Sequence, residues 1–155
     1  SALRNFVLVL FSTLLISACS TAKKAKVDTV DDVYTGTDTV EFLAKGVPDR
    51  IFFATNKSKL TTRSRDTLRK QATFLRKNKD VTVTLEGHAD ERGTREYNLA
   101  LGERRANAAR DYLMTYGVSG KRLSVISYGK EKPVNPASTP LAWSQNRRAV
   151  TIKTN

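Results

Sequence analysis

The stretch Glu86–Ala106, EGHADERGTREYNLALGERRA, decides how the rest of the chain is read. It closes a run in which Val81, Val83 and Leu85 alternate with Thr82, Thr84 and Glu86, the pattern of a half-buried strand. A polar loop from Gly87 to Gly93 follows. A helix then runs from about Thr94 to Tyr116 and stops at Gly117, a residue suited to ending helices. Leu99, Gly102, Ala106, Ala109 and Leu113 form the apolar stripe of that helix, and its small central residues suit close packing on a sheet.

On either side of this unit the pattern repeats. Upstream, Ile51-Phe52-Phe53 reads as a short strand. Thr61 is placed to cap a helix running to about Asn78, with Leu68, Ala72 and Leu75 on its inner face. Downstream, a strand covers about Leu123 to Tyr128. A long loop holding Pro133, Pro136 and Pro140 comes next, and a last strand covers about Arg148 to Lys153. The order β-α-β-α-β-loop-β predicts an α+β domain with one mixed sheet and its helices packed on one face.

The same stretch places opposite charges near each other. At about 100° per residue, with Ala106 at zero, the apolar stripe spans about −60° to +20°. Arg104 then falls near 160°, toward solvent, and Arg105 near −100°, beside the core. Asn98, Leu101 and Thr94 lie on the flank of Arg105, below the loop that carries Asp90. Arginine binds a carboxylate through two parallel bonds, and a carboxylate binds an ammonium. Asp90 and Arg105 therefore suit a small ligand bearing both groups on one carbon. The competing reading is that Asp90 caps the helix or pairs with Arg92 or Arg95, while Arg105 makes a salt bridge at the core edge.

Composition narrows the classes. The chain has 155 residues, enough for one ordinary domain plus non-globular sequence. Its net charge of +12 favours anionic surroundings. No strip of basic residues interleaved with stacking aromatics points to nucleic acid. One cysteine and one histidine cannot build an ordinary zinc site or an internal disulfide. His88 reads as a hydrogen-bonded structural residue. No Ser/His/Asp set, paired carboxylates or nucleotide-binding glycine pattern stands out, so neither an enzyme nor a cofactor is expected.

The amino-terminal region reads as a targeting segment. Arg4 precedes an apolar run from Phe6 to Ile16, too short to span a bilayer, and Ile16-Ser17-Ala18-Cys19 resembles the bacterial lipobox. Residues 1–18 are then a lipoprotein signal peptide, and Cys19 is the acylated first residue of the mature protein. Several acyl chains anchor stably where one does not. Ser20 after the cysteine, by resemblance to lipoprotein sorting, implies the outer membrane. The polar stretch to residue 46 reads as a linker reaching roughly 90 Å when stretched. The folded domain is expected over residues 47–155.

Taken together, these motifs resemble the OmpA-like peptidoglycan-binding domain family, over about residues 47–153. In that family the positions matching Asp90 and Arg105 hold diaminopimelate of the peptidoglycan stem peptide, and those matching Asn98, Leu101 and Thr94 line the site. Ile51–Leu60, IFFATNKSKL, resembles the family's first-strand motif, which places Phe53 and Ala54 at the ligand rim. Ala54, Thr55 and Asn56 replace the usual Asp, Phe and Asp there. Trp143-Ser144-Gln145-Asn146-Arg147-Arg148 resembles the motif entering the last strand, where Asn and Arg tie the loop to the sheet. The lipid-anchored branch of the family, that of the Tol–Pal system, implies TolB and other Tol proteins as partners. It also implies a domain facing the periplasm and a part in outer-membrane constriction at cell division. Two alternatives stay open: a membrane-motor stator component sharing the domain, and a basic surface adhesin or nucleic-acid-binding protein.

Overall fold

The computed structural model describes residues 32–155; the expected signal peptide and Cys19 lie outside them. A short hairpin, β1 (Phe42–Ala44) and β2 (Val47–Pro48), precedes the main sheet. The remaining elements are β3 (Arg50–Phe52), α1 (Thr62–Lys77), β4 (Val83–His88), α2 (Arg95–Thr115), β5 (Leu123–Gly129), α3 (Pro140–Asn146) and β6 (Arg148–Lys153). The main sheet has the order β3-β6-β4-β5, with β4 and β5 parallel and the other pairs antiparallel. This is the mixed sheet of an α+β domain that the sequence predicts.

Both long helices lie on one face. Gln71 of α1 accepts from Thr151 of β6, and the carbonyl of Leu99 in α2 accepts from Ser127 of β5. Between helices and sheet sits a core built from Ile51, Phe53, Leu68, Leu75, Leu85, Ala106, Leu113 and their neighbours. The glycines bring α2 close: a Cβ on Gly87 of β4 would lie 1.7 Å from the carbonyl oxygen of Gly102 in α2. No other side chain fits at that crossing. It fixes the height of α2 above β4, and so the position of every side chain on its flank.

Four details differ from the sequence reading. First, β4 begins at Val83 and continues through Gly87 to His88, because it pairs in parallel with β5 across a register shift. Second, Leu101 is buried and Leu99 only half-buried, so the buried face of α2 is rotated toward Arg105. Third, α3 interrupts the proline-containing loop: Thr139 caps it by accepting from Ala142 N, and Pro140 fills the first turn, where a missing N–H costs nothing. Fourth, composition places residues 32–46 in the linker, whereas here they pack on the domain. Tyr34 is buried edge-on against Phe52, Leu43 is buried, and Asp32 accepts bonds from Thr55. Polar composition hid these contacts because each is carried by a single residue.

Candidate functional site

Three pieces of chain converge on a cavity of about 230 Å³ beside α2. The β3–α1 loop gives Thr55 and Asn56, the β4–α2 loop gives Asp90, Arg92 and Gly93, and α2 gives Tyr97, Asn98, Leu101 and Arg105. Asn56 adopts a left-handed backbone (φ 58°), which asparagine tolerates better than most residues and which turns the loop over the cavity. Thr94 caps α2 by accepting from Tyr97 N at 3.2 Å. That cap starts the helix where its flank falls under Asp90.

Arg105 is fully buried. Its Nε donates to the carbonyl of Lys57 at 2.9 Å, Nη1 to that of His88 at 2.8 Å, and Nη2 to that of Ala54 at 3.0 Å. The guanidinium also lies over the Phe53 ring, 5.3 Å from its centroid. These partners fix the fork without neutralising it, since none is charged. Burial, then the neighbouring Arg147 charge, lowers its pKa to about 10, so it remains a cation at neutral pH. Two of the five N–H donors stay available, one on each terminal nitrogen.

Asp90 is buried too, with the opposite balance. Arg92 donates to it from the backbone N at 3.0 Å, from Nε at 3.1 Å and from Nη2 at 2.7 Å, and Arg147 Nη1 approaches at 3.3 Å. Burial works to raise its carboxyl, but these bonds outweigh burial and hold it below the ordinary carboxylate range. Arg92 is the exposed partner, lying across the Trp143 ring at 4.3 Å and donating to Thr55 Oγ1 at 3.2 Å. Arg147 is buried, donating to the carbonyl of Phe53 and bonded to Asp32, which is itself held by Thr55. Asp32, Thr55, Arg92, Asp90 and Arg147 thus form a closed ring of polar contacts under one wall of the cavity.

Of the residues singled out in sequence, Asp90, Asn98, Leu101 and Arg105 line one cavity. Asn98 is buried and donates to the carbonyl of Arg92 at 2.8 Å, which shapes the loop around Asp90. Thr94 does not line it; its hydroxyl is used as the helix cap. Phe53 and Ala54 stand behind Arg105, one through its ring and the other through its carbonyl. Arg104 is exposed, as the face arithmetic requires. Asp90 does pair with Arg92, whereas Arg105 makes no salt bridge to a described carboxylate, so half of the competing reading holds.

Thr55, Asn56, Arg92, Gly93 and Tyr97 also line the cavity, each within two residues of a position singled out in sequence. His88 is structural, but its ring makes no hydrogen bond. Its ring stacks on Tyr128, with the Glu86 carboxylate 3.6 Å from Nε2, beyond hydrogen-bond distance, and burial with the nearby Arg148, Arg50 and Lys132 charges lowers its pKa to about 3. In the last-strand motif, Asn146 accepts from the backbone N of Val134 and Asn135, and Arg148 donates to the carbonyl of Lys132. Those bonds tie the loop to the sheet. Among the described residues there is no His, Cys, Asp and Glu group able to hold a metal ion.

The profile described as the OmpA family matches residues 52–147. A peptidoglycan-associated lipoprotein of Rhizobium meliloti (strain 1021) is 58% identical over 106 residues, which are 68% of this chain and 60% of that protein. Another so described, from Mesorhizobium japonicum, is 44% identical over 153 residues, covering 96% of this chain and 91% of that one. Among solved structures, the crystal structure of the peptidoglycan-associated lipoprotein from Burkholderia pseudomallei superposes with a TM-score of 0.67 at 35% identity. It covers 68% of this chain and 90% of that one.

Proposed function

The chain belongs to the OmpA family, and from that premise we propose that it is a peptidoglycan-binding lipoprotein rather than an enzyme, gripping the diaminopimelate of a stem peptide between Asp90 and Arg105. The observation that carries this reading is the charge arrangement of the cavity. Arg105 is a buried cation whose described partners are all uncharged, and Asp90 is a buried anion whose main partner, Arg92, is exposed. The free end of diaminopimelate supplies a carboxylate and an ammonium on one carbon. The carboxylate takes the remaining donors of Arg105. The ammonium displaces Arg92 from Asp90, and Arg92 stays over Trp143. Leu101 packs against the aliphatic part of the ligand. Exchanging one charge-assisted contact for another keeps the desolvation cost low.

For the wider role we propose the following, supported by the lipobox and by resemblance to the lipid-anchored branch of the family. Cys19 carries the acyl anchor in the outer membrane, the segment after it tethers the domain, and the domain faces the periplasm. TolB and the other Tol proteins are the partners, and the assembly links the outer membrane to the cell wall and supports constriction at division. The test is retention on diaminopimelate-type against lysine-type peptidoglycan. Lysine lacks the carboxylate that Arg105 would bind, and losing one charge-assisted pair weakens binding by about 10- to 100-fold. Equal retention on both would refute the reading.

A further inference from the structure

Asp32 reaches the site from a segment that composition assigns to the linker. Its Oδ1 accepts from the backbone N of Thr55 at 2.9 Å, and its Oδ2 accepts from the Thr55 hydroxyl. That hydroxyl has given its one proton to Asp32, so its oxygen is left to accept from Arg92 Nη2 at 3.2 Å. On the other side, the buried Arg147 guanidinium lies between two carboxylates. Its Nη1 is 3.3 Å from Asp90 Oδ2, while its Nη2 is 3.3 Å from Asp32 Oδ2 and donates to the Asp32 carbonyl. The residues that follow are held down as well: Tyr34 packs edge-on against Phe52, and Arg63 donates to the carbonyl of Thr35. Asp32 does not itself line the cavity, whereas Thr55, Arg92 and Asp90 do.

We propose that Asp32 is a positioning residue for the ammonium half of the Asp90–Arg105 site, and that docking of the linker end and binding of peptidoglycan are coupled through it. The inference rests on the peptidoglycan reading. Two effects run in the same direction. A buried cation needs a compensating charge, and with Asp32 in place Arg147 has one besides Asp90, so Asp90 stays available to an ammonium. Asp32 also holds the Thr55 hydroxyl so that Arg92, once displaced from Asp90, keeps a hydrogen-bond partner. Such coupling is reciprocal: the factor by which docked Asp32 strengthens binding is the factor by which bound ligand strengthens docking. Binding then shortens the free tether, since the stretch from Cys19 to Asp32 reaches roughly 45 Å, about half the reach to residue 46.

The experiment is calorimetric titration of the purified protein with a soluble diaminopimelate muropeptide, with circular dichroism confirming the fold of each variant. Asp32→Ala is expected to weaken binding about five- to tenfold. Asp32→Asn, which keeps the size of the side chain but not its charge, weakens it as well. Asp38→Ala removes the same charge from an exposed position in the same segment and leaves the affinity unchanged. A double-mutant cycle separates a role in the site from a general loosening of the fold. Because Asp32 acts in part through the Thr55 hydroxyl, Asp32→Ala with Thr55→Ala loses less than the product of the two single losses, whereas independent losses multiply. Unchanged binding by Asp32→Ala or Asp32→Asn, an equal loss in Asp38→Ala, or losses that multiply in full would overturn the role of Asp32 while leaving the Asp90–Arg105 site standing. Failure of the unmodified protein to bind the muropeptide would overturn the peptidoglycan reading and the coupling with it.

Discussion

Replacing His88 with Phe should make the protein more resistant to acid. His88 is 1% exposed and stacked on Tyr128; neither ring nitrogen has a hydrogen-bond partner, and the Glu86 carboxylate, 3.6 Å from Nε2, is outweighed by burial and the surrounding cations. Burial and the charges of Arg148, Arg50 and Lys132 lower its pKa from 6.5 to about 3. The unfolded chain therefore takes up a proton near pH 6.5 that the folded chain refuses until about pH 3. Acid thus favours unfolding: the full stability is present above about pH 6.5 and falls by about 1.4 kcal/mol per pH unit below it. At about pH 4.5 the loss from this one residue is about 3 kcal/mol. Phe keeps a ring against Tyr128, forfeits no hydrogen bond and carries no proton. Urea unfolding of both proteins at about pH 7.5 and pH 4.5 measures the difference, with equal denaturant slopes as the check on two-state behaviour. The variant should gain about 2 to 3 kcal/mol on the unmodified protein between the two conditions. A difference between the proteins that does not change with pH would refute the argument.

Three further outcomes follow from the same contacts. Gly87→Ala puts a methyl group into the carbonyl of Gly102 and should destabilise the fold by about 3 kcal/mol or more, seen as a lowered thermal midpoint. Arg105→Lys keeps the charge but cannot reach three carbonyls at once; with two charged hydrogen bonds lost, a destabilisation of about 3 kcal/mol in urea is expected, together with weaker retention on peptidoglycan. Cys19→Ala should abolish palmitate labelling and release the protein from the membrane fraction, whereas continued labelling would rule out the lipobox.

Much of this architecture is legible in the sequence because its signals are local. Leu68, Ala72 and Leu75 declare the inner face of α1, and the alternation around Val83 and Leu85 declares β4. Helical arithmetic separates Arg105 from Arg104, since adjacent residues on a helix point about 100° apart. The parts that stay hidden depend on distant chain. Arg147 reaches Asp90 across 57 residues, and Asp32 reaches Thr55 across 23. The grip on Arg105 is made by backbone carbonyls of Ala54, Lys57 and His88, and no side-chain identity encodes a carbonyl's direction. That also explains how Ala54 can stand at this point of the loop without an acidic side chain: its contribution here is the carbonyl. The helix α3 did carry a signal, Thr139-Pro140, which is the cap-and-first-turn pair rather than a loop marker. The β1–β2 hairpin turns on Gly46 at φ 74°, too short a feature for periodicity to reveal.

The central claim is that Asp90 and Arg105 together hold one zwitterionic group. The most direct measurement is the affinity of a soluble diaminopimelate muropeptide for the unmodified protein, Asp90→Asn and Arg104→Ala, with circular dichroism confirming the fold of each. Removing the Asp90 charge should weaken binding by about 30-fold or more, as for loss of one partner in a buried charge pair. Arg104→Ala, at an exposed position, should bind as the unmodified protein does. Asp90→Asn binding as tightly as the unmodified protein, with its fold intact, would contradict the account.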